Sequence, residues 1–288
     1  MKSYRELCRP RISALSALSA AVGFIVAAGG IGTGALLAAG GVFILACGAS
    51  GLNQYQERKS DAFMPRTKGR PLPSGRISPP GALYFSFSLV VPGLLILRLS
   101  AENAAPFLLG LLALLWYNGV YTFLKKKTAF AAVPGALVGA LPPAIGWTSG
   151  GGLLADPRLV FLCFFFFMWQ TPHFWLLLLD RGPEYEAAGL PTLTRMFRRP
   201  QLVRIVFVWT VAAAASVLLI GLVGVVRSPS VNLALCAASA WLIWNGAGLF
   251  HRGRPDCSSA FHQINIFALV VMVLLSIDGL VRNIPMYH

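Results

Sequence analysis

Residues 12–56, ISALSALSAAVGFIVAAGGIGTGALLAAGGVFILACGASGLNQYQ, contain no Asp, Glu, Lys or Arg. A bilayer core takes about 20 apolar residues of helix, so this stretch holds two membrane spans with a turn near Gly29–Gly34. The run ends on Asn53-Gln-Tyr-Gln-Glu57-Arg-Lys-Ser-Asp61. Positions four apart on a helix drift by only about 40° per step, so residues 53, 57 and 61 share one stripe. Arg66-Thr-Lys68-Gly-Arg70-Pro follows at once. Mg2+ takes one or two carboxylates and fills its other positions with water or phosphate oxygen. An acidic stripe beside Arg and Lys therefore reads as a site for a metal-bound phosphate.

The texture of that stretch recurs. The chain has 288 residues, of which 56% are hydrophobic and 12% charged, and its mean hydropathy is +0.68. Such a composition excludes an ordinary soluble domain and predicts an all-α integral membrane protein. Apolar runs place nine spans at 12–31, 34–52, 81–98, 103–123, 129–147, 159–179, 205–226, 231–249 and 263–281. No intervening segment is longer than 53–80, too short for a free-standing soluble domain of about 50 residues, so 1–288 reads as one membrane domain with functional loops at 53–80 and 180–204. The basic start runs directly into a full-length span, so no cleaved signal peptide is expected.

A formal charge of +14 suggests nucleic acid until its placement is considered. With alternating spans and a cytoplasmic N-terminus, the inner segments hold four Lys/Arg before the first span, six in 53–80, three at Lys125–Lys127, five from Arg181 to Arg204, and Arg252 with Arg254. Only Arg98, Arg158, Arg227 and Arg282 of the 24 fall outside. That asymmetry predicts an inside N-terminus and an outside C-terminus, and it gives the charge a topological role rather than a nucleic-acid partner. The five cysteines, Cys8, Cys47, Cys163, Cys236 and Cys257, are odd in number and scattered, so neither disulfides nor a zinc site is expected.

Four further groups carry chemistry. Asp180-Arg-Gly-Pro-Glu184-Tyr-Glu186 is a second acidic loop on the same side, and two acidic clusters can clamp metal ions on one diphosphate. Pro183 is expected to break the helix there, with Asp180 ending one helix and Glu184 and Glu186 beginning another. Tyr121 and Lys125 supply a hydrogen-bond donor and a point charge for diphosphate, or alternatively an interfacial anchor and a topological charge. His173, in Trp169-Gln-Thr-Pro172-His173-Phe174, is an ionisable group inside a span and so a candidate haem ligand or base. Gly135 and Gly139 form a small-xxx-small pair expected to let helices approach, and Asp278 in the last span is expected to be paired or interfacial.

These blocks, with Arg9-Pro-Arg11, Met64-Pro-Arg66-Thr-Lys68-Gly-Arg70-Pro-Leu, Gly139-Ala-Leu-Pro-Pro-Ala-Ile-Gly-Trp147 and Glu184-Tyr-Glu-Ala-Ala-Gly-Leu-Pro191, resemble the UbiA superfamily of intramembrane prenyltransferases, and within it the branch that farnesylates haem b. The resemblance runs nearly end to end. It implies nine helices around a central cavity in a bacterial inner membrane, with the active site facing the cytoplasm. It implies Mg2+ held by Asn53, Glu57 and Asp61 and by Glu184 with Asp180, and diphosphate held by Arg66, Lys68, Arg70, Tyr121 and Lys125, the acceptor lying near His173. Glu184 stands where Asp is usual, and Asp180 at a commonly non-acidic position. The implied substrates are farnesyl diphosphate and haem b, with a haem A synthase or a terminal-oxidase assembly factor as protein partner. A relative that prenylates 4-hydroxybenzoate or another quinone precursor would share every donor-side residue, and a membrane transporter is the alternative from another class.

Overall fold

The computed structural model describes residues 2–251 and 257–281, and the backbone alone of Asp180 and His251. Arg252, Arg254 and Arg282 of the charge count lie outside the described residues. Among the described residues nine helices are long and apolar enough to cross a membrane. They are α1 (Pro10–Ala28), α2 (Thr33–Asp61), α3 (Pro79–Leu99), α4 (Ala105–Leu124), α5 (Ala129–Ser149), α6 (Pro157–Ala187), α7 (Arg199–Leu222), α8 (Pro229–His251) and α9 (Cys257–Val281). A short helix, Lys2–Cys8, precedes them.

Local chemistry sets the ends. Proline opens α1, α3, α6 and α8, where its missing N–H costs nothing and its fixed φ suits the first turn. Ser78 and Asp156 cap α3 and α6 by accepting the N–H of Gly81 and Arg158 at 3.3 and 2.9 Å. Gly29 ends α1 in the left-handed region at φ 72°. Asp278 of α9 is paired: it accepts the N–H groups of Arg227 and Ser228 at 3.1 and 2.8 Å and so seats the start of α8.

Successive helices pack side by side, and α9 returns onto α1 to close a ring. Inside it α1 crosses α5 and α9 crosses α6. The α1–α5 crossing brings backbone against backbone, because a Cβ on Gly23 would strike the Pro143 carbonyl and one on Gly146 the Ala20 carbonyl. A large core joins α1 and α5 to α6–α9 around Phe165, Phe267 and Ile264, while a smaller one, with Leu45, Leu97 and Ile145, joins α2 and α3 to α5. Large apolar side chains such as Leu95, Leu112, Val208 and Leu233 point outward, as a lipid solvent requires.

Two helices exceed their expected lengths. α2 continues through Asn53, Glu57 and Asp61, so the acidic stripe is helical rather than part of a loop at 53–80, which begins only after Asp61. α6 continues through both Pro172 and Pro183 to Ala187, so Pro183 does not separate Asp180 from Glu184. Proline removes one ladder bond, and a neighbouring bundle can hold the helix despite that loss. Gly135 and Gly139 also differ from expectation. They make room for side chains, Gly135 for the Tyr121 ring and Gly139 for the Gln170 amide.

Candidate active site

The ring encloses a cavity of about 760 Å3 lined by α1, α2, α4, α5, α6 and α9. Its deep wall is apolar, with Leu45, Ile145, Phe166 and Met272, and its mouth carries Arg9, Asn53, Glu57, Asp61, Arg66, Arg70, Tyr121 and Lys125. The mouth lies where α2, α4 and α6 end and α1 begins, the same end as the Lys/Arg-rich connections.

Each acid at this mouth faces a base. Lys125 is ion-paired with Glu57, Arg70 Nη1 stands 2.6 Å from Asp61 Oδ2, and Arg66 Nε stands 3.9 Å from Glu184 Oε2. Burial works against the charge on Lys125, which lies just past its span, yet the neighbouring Glu57 carboxylate holds its pKa above the ordinary lysine value. Asn53, Glu57 and Asp61 are almost fully buried. The pairing leaves one acceptor over: Asp61 Oδ1 is buried without a hydrogen-bond donor, whereas Glu57 Oε1 and Glu184 Oε2 are the oxygens that face Lys125 and Arg66. A buried carboxylate oxygen in that state calls for a cation.

The wall beside the acids is built by an unusual turn. α4 passes through a π-helical segment, Leu115–Tyr121, a form that recurs at functional sites. It brings Tyr117 and Tyr121 to a stacked pair with centroids 5.9 Å apart, and Phe174 of α6 stacks on Tyr121 at 6.1 Å. Asn53 Nδ2 donates to Thr122 Oγ1 at 3.0 Å, locking α2 to α4.

His173 sits next along this row of rings, 4.8 Å from Phe261 and 5.1 Å from Trp169 between centroids. Its Nδ1 lies 2.8 Å from Asn265 Oδ1. Asn265 Nδ2 donates to the Phe261 carbonyl at 2.6 Å, which fixes Oδ1 as the acceptor. The hydrogen is thereby assigned to Nδ1, and Nε2 keeps a lone pair for the cavity.

Most of the expected site residues meet here. Asn53, Glu57, Asp61, Arg66, Arg70, Tyr121, Lys125 and His173 all line the cavity. Lys68 does not: it is exposed on the loop, outside the cavity wall. Glu184 stands at the rim through Arg66, while Glu186 faces the other way and accepts from Thr192 and Thr194 at 2.7 and 2.5 Å. The Asp180 side chain lies outside what is described.

Other lining residues are Arg9, Gln170, Asn265 and His262. Arg9 adopts φ 46°, rare for a residue with a Cβ. The Lys2–Cys8 helix leads into it, anchored by Gln54 Nε2 donating to the carbonyls of Glu6 and Leu7 at 3.2 and 3.0 Å. An Arg directly before a proline that opens a span was its only signal. His262 and Asn265, polar and three apart in an apolar span, were a clearer one.

Among the described residues no three His, Cys, Asp or Glu side chains converge as a metal cage. Mg2+ needs none, since one or two carboxylates with water and substrate phosphate complete its shell. The unpartnered Oδ1 of Asp61, with the Glu57 carboxylate one turn away and three cations beside them, fits that arrangement.

Residues 16–270 match the family model described as UbiA prenyltransferase family. The chain is 36% identical to the protoheme IX farnesyltransferase of Oleidesulfovibrio alaskensis, covering 98% of each chain, and 42% identical to that of Geobacter sulfurreducens, covering 92% of this chain and 97% of the relative. Among solved structures, a UbiA homolog from Archaeoglobus fulgidus bound to GPP and Mg2+ superposes with a TM-score of 0.74 at 16% identity, over 97% of this chain and 99% of that one. Digeranylgeranylglyceryl phosphate synthase gives 0.78, also at 16%, over 97% and 98%. At such identities these two likenesses concern the fold.

Proposed function

The chain belongs to the UbiA prenyltransferase family, and from that premise we propose that its cavity transfers the farnesyl group of farnesyl diphosphate to a vinyl group of haem b, with water adding to form haem O for haem-copper terminal oxidases. The observation that carries this reading is the polarity of the cavity: three acids, each held by its own base, ring the mouth of an otherwise apolar chamber. That arrangement suits a substrate with a charged head and a long hydrocarbon tail.

In this reading Glu57, Asp61 and Asn53, with Glu184 from the rim, would hold Mg2+, which when bound would supply positive charge to stabilise the departing diphosphate. Lys125, Arg70 and Arg66 change partners on binding, from carboxylate to phosphate, so that charge is balanced in both states. Such preorganised charge does most of the work in bond-breaking steps of this kind. Tyr121 donates to the diphosphate, and the apolar wall keeps water off the allylic cation. His173 belongs to the acceptor half. By the positive-inside rule the mouth faces the cytoplasm of a bacterial inner membrane.

The test is direct. Purified protein given haem b, farnesyl diphosphate and Mg2+ yields haem whose extracted mass has grown by a farnesyl group plus a hydroxyl. Unchanged haem together with prenylation of an added phenolic acid would overturn the assignment.

A further inference from the structure

Asn53 is the uncharged member of the acidic stripe, and its use to a cation depends on which end of its amide faces the chamber. Mg2+ takes oxygen ligands, so an amide must present its carbonyl oxygen and not its NH2. The choice is made from behind. Thr122, fully buried and outside the cavity wall, donates its single hydroxyl hydrogen to the Tyr117 carbonyl at 2.8 Å. It therefore offers Asn53 only lone pairs, and Asn53 Nδ2 fills one of them at 3.0 Å. The reverse amide would leave two oxygens, the Tyr117 carbonyl and Asn53 Oδ1, competing for one hydrogen. Among the described residues nothing donates to Asn53 Oδ1, yet that atom is not sealed off as the amide oxygens of Gln54 and Asn118 are. Asn53 lines the cavity, so Oδ1 is left open to it.

The π-helical turn makes this arrangement possible. It brings the Tyr117 carbonyl to both the N–H and the hydroxyl of Thr122, five residues on instead of the usual four. A second clasp holds the turn on α2 to either side of Asn53. Asn118 Nδ2 donates to the Ala49 carbonyl at 3.1 Å and to Gln56 Oε1 at 3.2 Å, and Gln56 Nε2 returns a bond to the Asn118 carbonyl at 2.9 Å. Such a seam persists within a bilayer because an unpaired amide or hydroxyl finds no water there. On the reading of the cavity as a Mg2+-dependent prenyl diphosphate site, we propose that Thr122 is a positioning residue for the cation: its hydroxyl holds the Asn53 amide with Oδ1 toward the chamber, beside the Glu57 and Asp61 carboxylates. Thr122 acts only through Asn53, as residues behind a metal ligand do when they fix its orientation.

The experiment uses the full-length protein in detergent with Mn2+ as the probe, free Mn2+ being read by electron paramagnetic resonance in the presence of saturating farnesyl thiolodiphosphate, whose C–S bond resists cleavage. Thr122→Val keeps the volume but not the hydroxyl, and is expected to raise the Mn2+ dissociation constant about 10-fold or more, the usual effect of losing a residue that orients a metal ligand. The Mg2+ concentration for half-maximal turnover rises in step, and turnover recovers as Mg2+ is raised. Thr122→Ser, which returns the hydroxyl, brings both values back towards wild type. The melting temperature without metal is expected to change little; should the valine variant not fold, Thr122→Ala carries the same comparison. Unchanged Mn2+ affinity without the hydroxyl overturns the inference, as does a Thr122→Ser variant as weak as Thr122→Val, which would make the contact one of shape alone. Wild-type protein that binds Mn2+ no more tightly with farnesyl thiolodiphosphate than without it overturns the donor-site reading itself.

Discussion

Glu57 and Lys125 show what a single residue must satisfy in this site. Glu57 is buried, and Lys125 is the cation that makes its burial tolerable. Removing one member of such a pair strands the other, at a cost of about 3–5 kcal/mol, whereas replacing both with apolar groups is often neutral. Glu57→Leu and Lys125→Leu are each expected to lower stability by about that amount, and the double variant to regain most of it while remaining inactive. Thermal unfolding in detergent, followed alongside prenyl transfer, checks this; additive losses in the double variant would sink the pairing. Asp61→Asn keeps the Arg70 contact but removes the charge facing the chamber, and is expected to cut turnover by about 10²–10³-fold with little change in melting temperature. At this scale the acidic and basic residues were legible because charges are rare in an apolar chain. Arg9 and Gln170 were not, since nothing local marks which way a polar side chain points.

Helices carry those residues to one place through features that local rules only half predict. Propensity argues for a break at Pro183, yet α6 runs on to Ala187 because the bundle supports it. Gly23 and Gly146 set the α1–α5 crossing. Gly23→Leu is expected to destabilise by about 3 kcal/mol or more, read as loss of the monodisperse peak in gel filtration; normal folding would show that the crossing is not backbone-tight. Past the end of the α6 span, the hydroxyls of Thr194 and Thr192 hold the Glu186 carboxyl below the usual carboxylate range. A depressed pKa in the folded state means that the contribution is fully present above the unfolded pKa and fades as pH falls through the folded one. Between about pH 6 and 3, the protection factors of the amides at residues 186–196, exchange rates taken relative to the intrinsic rate at each pH, are therefore expected to fall, and a Thr192→Ala, Thr194→Ala double variant to lose that pH dependence.

The whole molecule turns a set of spans into a chamber. Charge asymmetry is the ground for proposing that the mouth faces the cytoplasm. In a background without cysteine, Glu102→Cys is expected to react with an impermeant maleimide in intact cells, and Lys68→Cys only in inverted vesicles; both positions are exposed, at opposite ends of the ring. The reverse pattern would invert the topology. Read alone, the residues mark nine apolar spans, predict an orientation and display an acid–base motif suited to diphosphate, because hydropathy and charge are summed along the chain and need no partner to be recognised. Ring closure by α9 on α1, the pairing of each acid with its own base, the tautomer of His173 and the seating of the Gln170 amide on Gly139 were decided only by the tertiary structure. Each depends on which helices touch, and close packing between segments distant in sequence sets that, through small residues and side-chain directions that no local window contains.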